Sequence, residues 1–230
     1  KDNNKYVKIL HLDKSNNSEK AKNIGKEILK GFDYQFHKQK SNGIGDAFNE
    51  GVTLAKSRYL IFLNTGDLFK DENSLTKILE YSKRERIYDF IYFDHYQIID
   101  NNLKKKSSMP LSRKILKPFS SKFPSHQSCV FNTSIHKYIK YPVLKDKSNR
   151  FINIIKDTGH IFGNDEYVIR KFVNIALKTN NYKYINEGLI IFDTTGVSSK
   201  KNISIEEFLK MLYGHLITGL YHRIFSDALK

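Results

Sequence analysis

The first 95 residues alternate between short apolar runs and stretches with helical spacing, and this alternation limits the fold more than any other feature. The continuous apolar run Tyr59–Leu63 is typical of a strand buried on both faces of a parallel sheet. The predicted order is strand, helix, strand, helix, strand, helix, strand, which favours an α/β fold with a doubly wound, mostly parallel sheet flanked by helices. The predicted strands are Tyr6–Leu12, Tyr34–His37, Tyr59–Leu63 and Phe90–Phe93, and the predicted helices are Ser18–Leu29, Ile44–Lys56 and Leu75–Lys83.

Three aspartates stand at the predicted carboxyl ends of strands. Asp13, Asp67 and Asp94 follow the first, third and fourth strands in the sequence. Ligands of doubly wound sheets bind beyond these ends. The fold alone does not require a carboxylate at each of them, so we expect a ligand site at this edge of the sheet.

The chain is strongly basic, with 39 Lys and Arg against 24 Asp and Glu and a formal net charge of +15. This charge favours anionic partners, namely nucleotide diphosphates, acidic lipid surfaces or nucleic acid, and does not choose among them. The basic residues are scattered, and no RNP-like, KH-like or zinc-finger pattern occurs. Nucleic-acid binding is therefore the weaker hypothesis, and salt-dependent binding to generic DNA would test it.

The single cysteine, Cys129, excludes a disulfide within the chain and favours a reducing compartment. It lies in an apolar stretch, which predicts a buried structural thiol. No apolar run approaches the roughly 20 residues that span a bilayer, and the N-terminus lacks a signal-peptide pattern. We expect a cytoplasmic protein, with peripheral contact at the inner face of the plasma membrane as an open alternative.

The second half of the chain carries weaker patterns. The basic stretch from Asn101 to Lys122 predicts a crossing loop, a candidate lid. Asp165–Leu177 predicts a helix, and Tyr182–Phe192 predicts strand structure interrupted at Asn186–Gly188. Residues 1–200 are predicted to form one catalytic domain. Residues 201–230 predict a helical tail that packs on this domain or on a second copy, or lies on an anionic membrane.

Six segments carry recognisable motifs. Residues 43–51 read GIGDAFNEG and resemble the "GIYDAMNKGI" segment of bacterial family 2 glycosyltransferases, while residues 64–69 read NTGDLF and resemble the "NSGDxF" variant of their DxD motif. Four shorter segments are similar to family motifs in the same order: residues 13–18 to "VDGGSTDGT", 126–128 to "HQ", 164–167 to "xDYEL" and 195–199 to "GGVSS". The resemblance covers roughly residues 7 to 200. The family's first strand has no counterpart, because the chain begins where the second strand is expected.

The resemblance implies a GT-A fold enzyme of capsule, O-antigen or exopolysaccharide assembly. Its expected activity is transfer of a hexosyl or N-acetylhexosaminyl group, with inversion, from a nucleotide-diphosphate sugar, in particular a UDP-sugar. The expected acceptor is a hydroxyl of a glycan or lipid-linked glycan, and the expected cofactor is Mg²⁺ or Mn²⁺. A homo-oligomer is compatible with this expectation.

Such a transfer needs two carboxylates. A divalent cation held by one of them neutralises the leaving diphosphate, and the other takes the proton of the acceptor hydroxyl. By resemblance Asp67 is the metal ligand, and a simple Asn-Thr-Gly-Asp turn is the alternative interpretation. By resemblance Asp165 is the general base, with Glu166 as the nearby substitute, and a helix N-cap is the alternative.

The remaining candidates contact substrate. Asp13, Asp46, Asn49 and Asn64, together with Asp67, are predicted to bind the nucleotide sugar. His126 and Gln127 are predicted to contact the acceptor or the diphosphate. The alternatives are an Asx-turn for Asp13, a solvated helix face for Asp46 and Asn49, and a structural role for a histidine in apolar surroundings.

A further hypothesis is a non-catalytic, glycosyltransferase-like domain that serves as a partner for an active subunit. The missing counterpart of the first strand supports it. Metal-dependent nucleotide binding separates this hypothesis from the enzyme.

Overall fold

The computed structural model describes residues 5–40, 43–99, 102–108, 110–112, 124–141 and 164–192. The strands are β1 Lys8–Asp13, β2 Asp33–Lys38, β3 Tyr59–Ile61, β4 Leu68–Phe69, β5 Phe90–Ile99, β6 Asn102–Lys106, β7 Cys129–Asn132 and β8 Tyr182–Phe192. The helices are α1 Ser18–Ile28, α2 Ile44–Leu54, α3 Glu72–Ser82, the short α4 Thr133–His136 and α5 Asn164–Thr179.

These strands form two sheets. β1 and β2 pair in parallel, and a six-stranded sheet has the order β3-β7-β5-β8-β4 with β6 paired to β5. The second sheet is mixed, since β5 and β8 are parallel while the pairs β3–β7, β5–β7, β5–β6 and β4–β8 are antiparallel. The α/β class is confirmed, but the larger sheet is mixed and not mostly parallel as predicted. β3 is half-buried at the end of the strand order and pairs antiparallel with β7, so the prediction of a parallel strand buried on both faces is wrong. Within the described part of the chain, no strand joins the two sheets.

The centre of the larger sheet is buried on both faces, as its apolar sequence requires. Phe90 and Tyr92 of β5 pack with α5 through Phe172 on one face. Ile91 and Phe93 face the other way, into a second cluster with Ile78 of α3 and Ile190 of β8. Successive side chains of Phe90–Phe93 alternate between these two apolar layers, which explains why this part of β5 has no polar face.

Helix α2 packs against both sheets. A Cβ on Gly51 would lie 3.3 Å from Cδ1 of Leu12, in β1, and 3.7 Å from Cε1 of Phe62, which follows β3. The fully buried Val52 is its neighbour. Because residue 51 has no side chain, α2 can lie close both to β1 and to the residue that follows β3.

Two predictions for the middle of the chain are wrong. β5 does not end at Asp94 but continues to Ile99, so Asp94 lies within a strand. Asn102–Lys106 form β6 and not a loop, because an edge strand with every side chain exposed tolerates three consecutive lysines. The predicted interruption of the last strand is a register shift, in which Gly188 pairs with Asp94.

Other predictions fall outside the described residues. These are the loop at residues 195–199, the tail at 201–230 and residues 113–122 of the predicted lid. In the ranges that are described, none of the helices has the length and apolar character needed to cross a membrane. Cys129 is fully buried, which confirms the predicted buried thiol.

Candidate active site

Asp67 lies in a tight turn between β3 and β4. The N–H of Asp67 donates to the carbonyl of Asn64 at 3.1 Å, and the N–H of Asn64 donates to Oδ2 of Asp67 at 2.9 Å. Gly66, with φ of 97°, supplies the left-handed residue that this turn needs. Asp67 is only 9% exposed. The turn thus fixes the direction of a nearly buried carboxylate.

Asp165 lies in the first turn of α5. Its Oδ1 accepts the N–H of Glu166 at 2.9 Å. Burial is the main cause of the raised pKa values of Cys129 and Tyr141, and the negative charge of Asp165 adds to both. Asp165 therefore lies close enough to the start of β7 and to Tyr141 to act on them electrostatically.

Glu166 is engaged elsewhere. Its Oε1 lies 2.5 Å from the guanidinium of Arg170, one turn along the same helix, and Arg170 is 3% exposed. Glu166 is thus held in an ion pair within α5.

His126 belongs to a buried aromatic cluster centred on Tyr141. The Tyr141 hydroxyl lies 2.6 Å from Nε2 of His126 and 3.2 Å from Nε2 of His136. Nδ1 of His136 is 3.1 Å from the carbonyl of Ile139, which can only accept. His136 therefore carries its proton on Nδ1 and accepts from Tyr141, which leaves Nε2–H of His126 to donate to the Tyr141 oxygen.

Burial keeps both rings neutral. It lowers the pKa of His126 to about 3 and also lowers the pKa of His136. The neighbouring Gln127, 6% exposed, accepts the hydroxyl of Ser125 through Oε1 at 2.7 Å. The described hydrogen bonds of His126 and Gln127 are made to Tyr141 and Ser125 of the same chain. Their contact with the acceptor or the diphosphate stays a prediction.

Asn49 holds the backbone of Tyr141. Its Nδ2 donates to the Tyr141 carbonyl and its Oδ1 accepts the Tyr141 N–H, both at 2.9 Å. The two bonds join α2 to a residue 92 positions away. Asn49 therefore positions Tyr141 and, through Tyr141, His126. The predicted contact of Asn49 with the nucleotide stays a prediction.

Asp13 organises the loop between β1 and α1. Its Oδ2 accepts the Ser18 hydroxyl at 2.8 Å, the Ser15 hydroxyl at 2.9 Å and the Ser15 N–H at 3.2 Å. The Ser18 bond is the largest cause of its lowered pKa. These bonds match the Asx-turn that was the alternative interpretation of Asp13. The same bonds favour the ionised form of its carboxylate. Asp46 lies half-buried in the first turn of α2.

The structure places the candidates in two groups. Asn49 and His126 bond to Tyr141, Gln127 follows His126 in the chain, and the charge of Asp165 acts on Tyr141. Asp13, Asp46, Asn64 and Asp67 lie in loops and a helix start near β1 and β3. Sequence reasoning missed Tyr141, because its partners lie 92, 15 and 5 positions away. A lone tyrosine carries no local signal of such contacts.

No group of three or more His, Cys, Asp or Glu that could hold a metal occurs in the part of the chain that the structure describes. Asp67 supplies one carboxylate. Hard oxygen ligands of this type suit Mg²⁺ or Mn²⁺, which commonly take one or two carboxylates and complete their shell with phosphate oxygens and water.

The fold is similar to that of S. aureus TarS residues 1–349. Two crystal structures, in complex with UDP-GlcNAc and with UDP, give a TM-score of 0.52 at 11% and 10% identity, and a third gives 0.56 at 14%. They cover 91–97% of this chain, which spans only 56–64% of TarS. At this identity the likeness shows the fold alone. None of the curated proteins matches the sequence significantly.

The mixed sheet, the flanking helices and this likeness define a GT-A glycosyltransferase fold. The model of the family described as "Glycosyl transferase family 2" matches residues 6–146, more than half of the chain. The chain therefore belongs to glycosyl transferase family 2.

Proposed function

We propose that this chain transfers a sugar from a nucleotide-diphosphate donor, in particular a UDP-sugar, to a hydroxyl of a glycan or lipid-linked glycan. Membership of the family and the Asp67 turn after β3, which directs a nearly buried carboxylate, support this proposal. The likeness to TarS, whose structures contain UDP-GlcNAc and UDP, supports a UDP-sugar donor and a hexosyl or N-acetylhexosaminyl group.

In this proposal Asp67 would hold Mg²⁺ or Mn²⁺, and the bound cation would supply charge neutralisation for the leaving diphosphate. Asp67 offers one carboxylate already oriented by the Asn64 N–H. Asp13, Asp46, Asn49 and Asn64 are the proposed donor contacts.

Asp165 is the proposed base. It takes the proton of the acceptor hydroxyl while that oxygen forms a bond to the anomeric carbon, and the bond from this carbon to the diphosphate breaks on the opposite face. Attack from that face inverts the anomeric centre. His126 and Gln127 are proposed for the acceptor side, and a peripheral position on anionic membrane and a homo-oligomer belong to the same proposal.

Calorimetry with UDP, with and without Mn²⁺, tests the proposal on the wild-type chain and on Asp67→Ala and Asp165→Asn. We expect Mn²⁺-dependent binding that Asp67→Ala weakens at least tenfold. Asp165→Asn should bind UDP within twofold of wild type, because it faces the acceptor, yet release UDP from UDP-GlcNAc at least 100-fold more slowly.

The matched control is Asp71→Asn. Asp71 is the N-cap of α3, where it accepts the Asn73 N–H, so it should change neither quantity. A wild-type chain that does not bind UDP would contradict the enzyme and favour the non-catalytic partner domain.

A further inference from the structure

Asp94 is a carboxylate buried without any solvent exposure in the middle of β5. Its Oδ1 accepts the Ser108 N–H and the Tyr184 hydroxyl, both at 2.7 Å. The Lys105 ammonium lies 2.8 Å from Oδ2, which receives no well-aligned hydrogen bond from the residues that the structure describes. A buried carboxylate is costly unless it is paired and hydrogen-bonded. Asp94 thus ties three separate segments to β5.

The sheet is irregular at this point. β8 pairs Ile185 with Phe93, Gly188 with Asp94 and Ile190 with His95, so Asn186, Glu187 and Leu189 are left out of the ladder with β5. A Cβ on Gly188 would lie 2.2 Å from the Tyr96 ring, which explains the glycine. Bulges of this kind re-aim side chains and are common beside active sites.

The chain that follows β6 crosses back over β5, and we name residues 107, 108 and 110–112 the return segment. Ser108 donates its hydroxyl to the Phe93 carbonyl at 3.2 Å in addition to its bond to Asp94. The Leu111 N–H donates to the Tyr92 hydroxyl at 3.1 Å, and the Leu111 side chain is buried in the core. The return segment therefore covers the face of β5 that carries Tyr92 and Asp94.

Helix α5, whose first turn holds Asp165, packs on this face. Tyr92 lies in one buried cluster with Val168, Ile169 and Phe172 of α5. Tyr92 also pairs with Cys129, whose raised pKa the charge of Asp165 adds to. Asp94 lies two residues, about 7 Å, beyond Tyr92 on the same side of the strand. The Tyr184 ring stacks on Tyr92 with centroids 4.9 Å apart. Asp165, Tyr184 and the return segment therefore share one side of the sheet.

We propose that Asp94 is a positioning residue of the acceptor subsite, because it holds the return segment and the Tyr184 ring as walls beside Asp165. The inference rests on the proposed function, in which Asp165 takes the acceptor proton. The proposed donor contacts lie on β1, on α2 and in the turn after β3, and none of them belongs to β5, β8 or the return segment. Loss of Asp94 therefore affects the acceptor more than the donor.

The test compares wild type with Asp94→Asn and Tyr184→Phe, as full chains with Mn²⁺. Three quantities are measured: the Kd of UDP, the hydrolysis of UDP-GlcNAc by water, and transfer to glycerol and methyl β-glucoside as probe acceptors. We expect Asp94→Asn to keep the first two within twofold and to lower transfer at least tenfold through a higher acceptor KM. Tyr184→Phe keeps the ring but loses the hydroxyl that donates to Asp94 and, at longer range, to Asn186, so it should lower transfer about threefold.

The control Asp71→Asn should leave all three quantities unchanged. An unchanged ratio of transfer to hydrolysis in a folded Asp94→Asn chain would overturn the inference, as would an equal fall of binding, hydrolysis and transfer. If Asp94→Asn does not fold, the ratio for Tyr184→Phe decides. A wild-type chain that neither binds UDP nor releases it from UDP-GlcNAc overturns the proposed function itself, and the inference with it.

Discussion

At the scale of single residues, Asn49 shows how one amide can organise a site. It satisfies both backbone groups of Tyr141, and the Tyr141 hydroxyl in turn joins His126 and His136. Truncation would leave an N–H and a carbonyl next to the core without these partners. Such losses cost about 1–3 kcal/mol for each group.

We expect Asn49→Ala to lower the free energy of unfolding in urea by about 2–4 kcal/mol. Asn73→Ala, at an exposed position in the first turn of α3, is the control and should stay within about 0.5 kcal/mol of wild type. UDP binding by Asn49→Ala then tests its predicted place in the nucleotide pocket. A Kd within twofold of wild type would contradict that placement.

The two buried histidines predict a pH dependence of stability. Burial lowers the pKa of His126 to about 3 and lowers that of His136, so the unfolded chain binds protons that the folded chain does not. Stability is therefore complete above the unfolded pKa of about 6.5 and falls as the pH drops toward the folded pKa. The slope is about 1.4 kcal/mol per pH unit for each histidine that stays neutral.

Urea unfolding at pH 7.5, 6.0 and 5.0 measures this slope. Burial also lowers the pKa of His95, so His126→Gln removes one of three such histidines and should reduce the slope by about a third below pH 6. Equal stability of the wild-type chain at all three pH values would mean that these rings are protonated in the folded state.

At the scale of elements, helix α2 lies close to both sheets at Gly51, which has no side chain. A Cβ on Gly51 would lie 3.3 Å from Cδ1 of Leu12 and 3.7 Å from Cε1 of Phe62. The two further carbons of a valine would therefore crowd these side chains. We expect Gly51→Val to lower the free energy of unfolding by about 1–3 kcal/mol. Gly51→Ala should cost less, because a gain in helix propensity of about 1 kcal/mol offsets the crowding.

Urea unfolding of both variants checks this, with Thr53→Ala on the exposed face of α2 as the control. A Val variant as stable as wild type would show that β1 and the residues after β3 can move apart without cost.

The elements also show what could be predicted from sequence. The predicted strands and helices up to residue 93 follow local periodic patterns, and the structure keeps their order but adds the two-residue strand β4, which was not predicted. β6 and the second half of β5 were missed, because three lysines and an aspartate look unlike a strand until their exposure and partners are known. Asp94 illustrates the limit: Ser108 and Tyr184 lie 14 and 90 positions away, and no local pattern records either bond.

At the scale of the whole molecule, the residues of the proposed site lie partly inside and partly outside the segment that matches the family. The match to the family ends at residue 146, whereas Asp165, α5 and β8 lie beyond it. The Asp67 turn was recognisable from its motif. The side of the site around Tyr141, Asp94 and Asp165 depends on contacts between distant segments, which only the fold brings together.

The place of β8 has a consequence for synthesis. This strand is the last of the described strands in the sequence, yet it lies between β5 and β4 and pairs with both. A ribosome that adds about 5–20 residues per second needs roughly 5–20 s to proceed from β5 to β8. During that interval the inner edge of β5 has no partner from β8, so the nascent sheet offers an open template to other chains. The larger sheet can therefore be completed only after β8 has left the ribosome, and it cannot form strand by strand in the order of synthesis.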